Sequence, residues 1–234
     1  MVNFDTAVLA FLSRNAPQSI LFHHVAGAIA GYNIFNGLLP ITLLWGAWFK
    51  PTRRVEWARE MVVATLVSGF LALVVGRLLA YFMPFRLRPI YDPSVQHFFP
   101  FAGSTEGFLR TWSAFPSDHA VLWGSIAMGI FLIWRWAGVL AFFHCAVAIC
   151  LPRIYLGLHY PTDILGGAAI GIVITFVMTR NAVRGRFAPG IVRLFNAHPT
   201  TCYMLAFLFC FELATMFDEP RLLAQSIAKV LLNG

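Results

Sequence analysis

The chain has 234 residues, 59% of them hydrophobic and 12% charged, with a mean hydropathy of +0.73. A water-soluble domain carries about twice that charged fraction, so the composition excludes one and leaves a polytopic membrane protein, with length for about five or six helices of roughly 20 residues and one domain. The net charge of +7 would suggest nucleic acid in a soluble protein, but here the basic residues sit in short loops between apolar runs, where membrane orientation accounts for them and no nucleic-acid partner is expected.

Residues 1–31 are expected to form interfacial helices: Phe4 to Leu12 is apolar on one helical face and too short to span, and Ser19 to Ala30 is a second weak amphipathic stretch. The N-terminus lacks the charged start, apolar run and small-residue cleavage site of a signal peptide, so insertion is expected to rest on the spans themselves. Six spans are predicted, at about Tyr32–Phe49, Met61–Met83, Ser117–Trp134, Ala137–Leu151, Thr162–Met178 and Thr201–Phe217, with a tail to residue 234. The expected fold class is therefore all-α, a polytopic membrane helix bundle. Glu212 interrupts the sixth run and stays unassigned. Cys145, Cys150, Cys202 and Cys210 all lie in apolar stretches and read as small core residues.

Basic residues separate the two sides of the membrane. Lys50, Arg53, Arg54, Arg59, Arg135, Arg180, Arg184, Arg186 and Arg193 fall on one side, which the positive-inside rule makes cytoplasmic. The loop from Phe85 to Phe115 and the segment from Arg153 to Asp163 then share the external face, although they are far apart in sequence. Arg193 and its neighbours read as topology determinants, and Arg14, Arg110 and Arg135 as snorkelling anchors.

Three short clusters gather on that external face: Arg86-Leu87-Arg88-Pro89, Pro116-Ser117-Asp118-His119, and Arg153 with His159 and Asp163. Charge at a membrane boundary is costly without a purpose. Phosphoryl transfer needs cations around the non-bridging oxygens, a nucleophile in line with the leaving oxygen, and an acid behind it. Arg88 and Arg153 suit the first role, because the guanidinium fork makes paired hydrogen bonds to phosphate and stays charged. Ser117 precedes the third span, whose free N–H groups and dipole would face an anion. His119 falls in its first turn. His159 and Asp163 are four apart, so on a helix the carboxylate can hold one imidazole nitrogen and leave the other to attack. A lone histidine near a helix end is more often a satisfied polar residue, which is the reading for His23, His24, His97, His144 and His198.

The three clusters resemble the signature of the type 2 phosphatidic acid phosphatase superfamily of membrane lipid phosphatases: Lys, six residues, Arg-Pro; then Pro-Ser-Gly-His; then Ser-Arg, five residues, His, three residues, Asp. Arg153, His159 and Asp163 reproduce the spacing of the third part, Arg88-Pro89 the end of the first, and the resemblance covers about Met61 to Met178. It implies a catalytic core over 61–178, in which His159 is the nucleophile forming a phosphohistidine, Asp163 its orienting partner and His119 the acid for the leaving group. It further implies that Arg88, Ser117 and Arg153 bind phosphate, and that neither metal nor cofactor is needed.

Three positions depart from the pattern. Tyr81 stands where the family has lysine; Arg77, one turn deeper on the same face, and Arg86 are possible substitutes, Arg77 being evenly balanced between substrate binding and a structural ion pair. Asp118 stands where the family has glycine, so its charge must point away, pair with an arginine or be protonated. Pro-Ser-Asp-His resembles the variant of many undecaprenyl-diphosphate phosphatases. Pro152 stands where the family has serine.

The expected function is an integral membrane hydrolase acting on a lipid phosphate or diphosphate in the bilayer, undecaprenyl diphosphate first and phosphatidic acid or phosphatidylglycerol phosphate next. The expected location is a bacterial inner membrane with the site facing outward. Two competing classes are a lipid phosphotransferase, and a transporter or structural membrane protein whose charges form a translocation path.

Overall fold

A computed structural model describes residues 3–17, 19–100 and 110–220, together with 222, 223, 226 and 227. All regular structure among them is helical: α1 (Phe4–Asn15), α2 (Ile20–Gly31), α3 (Asn33–Phe49), α4 (Val55–Phe82), α5 (Asp118–Ile133), α6 (Arg135–His144), α7 (Leu151–Tyr155), α8 (Pro161–Met178), α9 (Asn181–Ala197) and α10 (Pro199–Ala214), with 3-10 turns at Pro89–Tyr91 and Gln96–Phe98.

Helix α5 is apolar on every side, and such a helix must be buried. Trp123, Leu122, Ile126 and Ile130 on it are all fully enclosed, between α4, α6 and α8. Its approach to α8 is set by Gly171, where a Cβ would lie 2.0 Å from the Val121 carbonyl oxygen. Only glycine lets the two backbones come that close. Polar residues inside this contact satisfy one another, with Ser125 and Thr175 hydroxyls 2.6 Å apart.

Helices α4 (Val55–Phe82), α6 through α7 (Arg135–Tyr155) and α8 are long and apolar enough to cross a membrane, and α2 with α3, bent by 49° between them, form a fourth candidate. Helices α5 and α10 are apolar but only 16 residues each. The second amphipathic stretch is thus continuous with the first predicted span, as a broken span or a re-entrant pair.

Helix α4 begins at Val55, six residues before the predicted start at Met61, because the polar turns at its N-terminal end are held by a neighbour: Glu60 Oε2 lies 3.2 Å from Arg184 Nε on α9. Helix α9 lies between the fifth and sixth predicted spans, where the sequence reading places no element. Its inner face, Arg184, Ala188 and Val192, has a spacing of four, and Arg184 also donates to the Thr179 carbonyl and to Asn181 Oδ1. Between α6 and α7 the backbone widens into a π-helix over Cys145–Cys150. That wider turn accommodates Pro152, which lacks an N–H and would crowd the carbonyl four residues back in a regular helix.

Candidate active site

The three polar clusters meet at the ends of α4, α5 and α8, and backbone hydrogen bonds tie them pairwise. Ile90 N–H donates to the Gly157 carbonyl at 2.9 Å, Ala114 N–H to the Arg86 carbonyl at 2.8 Å, and Ser117 N–H to the Asp163 carbonyl at 3.3 Å. Gly157, at φ +71°, supplies the left-handed residue that turns the chain from α7 toward His159.

His159 is 6% exposed. Its Nδ1 lies 2.8 Å from the Ala114 carbonyl oxygen and 3.9 Å from Asp163 Oδ2. A carbonyl can only accept, so Nδ1 carries the proton and Nε2 keeps its lone pair. Burial is the main cause that holds the imidazole well below its ordinary pKa, and Arg88 is the next; the Ala114 bond works in the opposite direction. The ring is therefore neutral at pH 7.

Asp163 is fully buried but does not hydrogen-bond His159. Its Oδ2 accepts from Tyr160 N–H at 2.7 Å, closing a cap on α8, and its Oδ1 pairs with Arg86 Nη1. Arg86 in turn reaches Thr162 Oγ1 at 2.8 Å and Asp5 Oδ2 at 2.6 Å, and its guanidinium lies 4.0 Å from the Tyr160 ring centroid. With two carboxylates as partners, Arg86 is a structural cation. Tyr160 donates its hydroxyl to Asp92 Oδ2 at 2.6 Å; that bond holds Asp92 below the ordinary carboxylate range, while burial first and the bond second push the tyrosine up.

Arg88 gives Nη1 to the Leu158 carbonyl at 3.1 Å, and its buried Nε has no partner. Burial weakens its hold on the proton, opposed by the charges of Asp118 and Asp163. Ser117 Oγ is likewise buried without a partner at the N-cap of α5. His119 follows in the first turn, half-buried, within electrostatic reach of Arg153, His159, Arg88 and Arg77.

The remaining candidates diverge. Arg153, 3% exposed, spends Nη1 on the Ile149 carbonyl at 2.6 Å and Asn36 Oδ1 at 3.4 Å, and Nη2 on the Ala30 carbonyl at 2.8 Å, so it caps the end of α2. Tyr81 is 82% exposed with its ring edge against Phe82 and stays outside the cluster. Arg77 points to α5 instead: its Nε lies 3.5 Å from Asp118 Oδ2 and its Nη2 donates to the Met216 carbonyl at 2.7 Å. Of the options for Asp118, it has the arginine partner.

Sequence reasoning missed Asp5, Thr162, Tyr160, Asp92 and the Ala114 carbonyl. A backbone carbonyl has no signature in sequence. Asp5 had one, as the only acidic residue ahead of Glu56.

The PAP2 superfamily model matches residues 57–186. The chain is 30% identical over 168 residues to a protein of Bacillus licheniformis named bacitracin transport permease protein BcrC, covering 70% of this chain and 73% of that one. It is 30% identical over 148 residues to undecaprenyl-diphosphatase BcrC of Bacillus subtilis, covering 60% and 68%. Lipid A 1-phosphatase of Rhizobium etli is 31% identical over 120 residues, covering 50% and 47%. With the family match spanning more than half of its length and with helices able to cross a bilayer, the chain belongs to the PAP2 superfamily and is a membrane lipid phosphatase.

Proposed function

We propose that the enzyme hydrolyses a lipid diphosphate, undecaprenyl diphosphate as first choice, through a phosphohistidine on His159. The observation that carries this reading is the His159 imidazole, whose Nδ1–H is committed to the Ala114 carbonyl while Nε2 stays unprotonated, with Arg88 within electrostatic reach of the ring. The Nε2 lone pair attacks phosphorus and a phosphorus–nitrogen bond forms as the bond to the leaving oxygen breaks. His119 gives that oxygen a proton. Water then loses a proton to His119 while its oxygen attacks phosphorus, the phosphorus–nitrogen bond breaks, and inorganic phosphate departs. The unpartnered Arg88 Nε and Ser117 Oγ, with the first N–H groups of α5, are the donors available to the non-bridging oxygens. Asp163 acts on His159 through the backbone, by capping the helix that follows it. Arg77, already paired with Asp118, supplies positive charge where the family has lysine.

The substrate choice is supported by the relative named undecaprenyl-diphosphatase and by the Pro-Ser-Asp-His sequence. The relative named lipid A 1-phosphatase supports a phosphorylated glycolipid as the second reading. The reading counts six crossings, α2 with α3, α4, α5, α6 through α7, α8 and α10, in a cytoplasmic membrane with the site facing outward; the length and apolar composition of four of them support it.

The test is phosphate release in detergent, with chelator present, from undecaprenyl diphosphate, phosphatidic acid, phosphatidylglycerol phosphate and lipid A 1-phosphate. The diphosphate is expected to have the highest kcat/KM, and release without acceptor separates hydrolysis from phosphotransfer. Full activity of His159→Ala would refute the mechanism, and flux without phosphate release would point to a transporter.

A further inference from the structure

Helix α1 lies outside the family match, at 57–186, yet it sends a carboxylate into the site. Asp5 is 3% exposed, and burying a charge at a membrane boundary is costly unless partners compensate it. Three donors do so: Thr162 N–H at 2.9 Å on Oδ1, and Thr162 Oγ1 at 2.7 Å and Arg86 Nη2 at 2.6 Å on Oδ2. Thr162 is the second residue of α8, so Asp5 fills from another helix the place of an acidic residue at an N-terminus, where free N–H groups and the helix dipole favour negative charge. Asp163 caps the same turn from within. Arg86 bridges the two carboxylates, and His159 lies immediately before this turn. The hydrophobic anchor of α1 is at the same spot, with Leu9 buried against Val95 and Tyr160.

We infer that Asp5 is a positioning residue for the phosphatase reaction: through Thr162 and Arg86 it fixes the first turn of α8 and so the direction in which His159 Nε2 points. This rests on His159 being the nucleophile, as proposed above. A misplacement of about 1 Å at a reacting atom costs on the order of 100-fold in rate. A merely structural anchor would lower the yield of folded protein and leave turnover per folded molecule intact.

The experiment measures kcat and KM for phosphate release from undecaprenyl diphosphate and phosphatidic acid in detergent, using monodisperse wild type, Asp5→Ala, Asp5→Asn and Thr162→Val. Asp5→Ala is expected to lose about 10- to 100-fold in kcat with KM within about twofold. Asp5→Asn keeps an acceptor for the Thr162 N–H and should fall between. Thr162→Val keeps that N–H but loses its hydroxyl bonds to Asp5 and Arg86, and should fall in the same direction. If Asp5→Ala does not fold, the other two variants decide the matter.

A second readout is the pH profile. His159 is faced by Arg88, Arg153, Arg86, Asp163 and His119. Neutralising Asp5 leaves Arg86 less compensated, so the acid limb of kcat/KM should move to lower pH in Asp5→Asn. Unchanged kcat in the folded variants, or a change confined to KM, would overturn the inference while leaving the phosphatase reading intact. A wild-type protein that releases phosphate from neither lipid would refute the reading itself and the inference with it.

Discussion

The proposed nucleophile is oriented by a peptide carbonyl and not by a carboxylate. That choice has a physical consequence: the bond to the carbonyl raises the basicity of the imidazole, but burial first and Arg88 second outweigh it and hold the titration down. Because the pKa lies below the ordinary 6.5, the reactive neutral form persists as pH falls, and the acid limb of kcat/KM assigned to His159 is expected below pH 6.5. A pH profile on a substrate with a good leaving group measures this. His159→Ala should reduce phosphate release by at least about 1,000-fold, the scale on which loss of a covalent nucleophile acts. His119→Ala should cost much less on an aryl phosphate than on an alkyl lipid phosphate, because a leaving oxygen of low basicity departs without a proton. Comparing the two kcat/KM ratios tests that role.

Among the helices, α5 and α8 carry the site between them, and their closeness is what aligns the Ser117 N-cap with the first turn of α8. Gly171→Ala would put a methyl 2.0 Å from the Val121 oxygen and force the pair apart. Overpacking of this kind costs about 1–3 kcal/mol, read as a lower midpoint of thermal unfolding in detergent, with activity lost alongside it. Helix α9 is held differently, by the Arg184–Glu60 pair at the opposite end of the bundle. Glu60→Ala should destabilise the protein by about 1.5–3 kcal/mol, the scale of a hydrogen bond to a charged group, and leave kcat unchanged. The Arg184, Ala188, Val192 spacing was present in the sequence. Four arginines and Pro189 in 180–193 read as topology determinants and mask the helix, because a helix that buries an arginine breaks the apolar stripe by which helices are recognised.

For the whole molecule, the two polar ends of the bundle have different jobs. Lys50, Arg53, Arg54, Arg135, Arg186 and Arg193 are exposed and belong to the basic side, while the opposite end, external in the proposed orientation, buries its charges in the site. A membrane-impermeant thiol reagent applied to intact cells should therefore label Ser94→Cys and spare Thr52→Cys, both at exposed loop positions, in a background without the four buried native cysteines. Labelling in the reverse pattern would invert the proposed orientation.

The membrane class, the all-helical fold and the three polar clusters were legible in the chain, because apolar run length and the spacing of His159 and Asp163 are local properties. Whether a given arginine is free for phosphate is not local. Sequence sets Arg88 and Arg153 apart from Arg86 by the motif but not by their partners, which packing decides: Asp5 on α1 and Asp163 on α8 take Arg86, the end of α2 takes Arg153, and Arg88 keeps a donor without a partner. The loop that carries Ala114, tied to Arg86 by a backbone hydrogen bond, likewise offers His159 a carbonyl 45 residues away in the chain. A guanidinium or an imidazole has several donors of similar strength, and which acceptors they meet depends on where distant segments dock. Sequence determined the chemical groups at this membrane surface, and tertiary structure decided which of them remain unpaired.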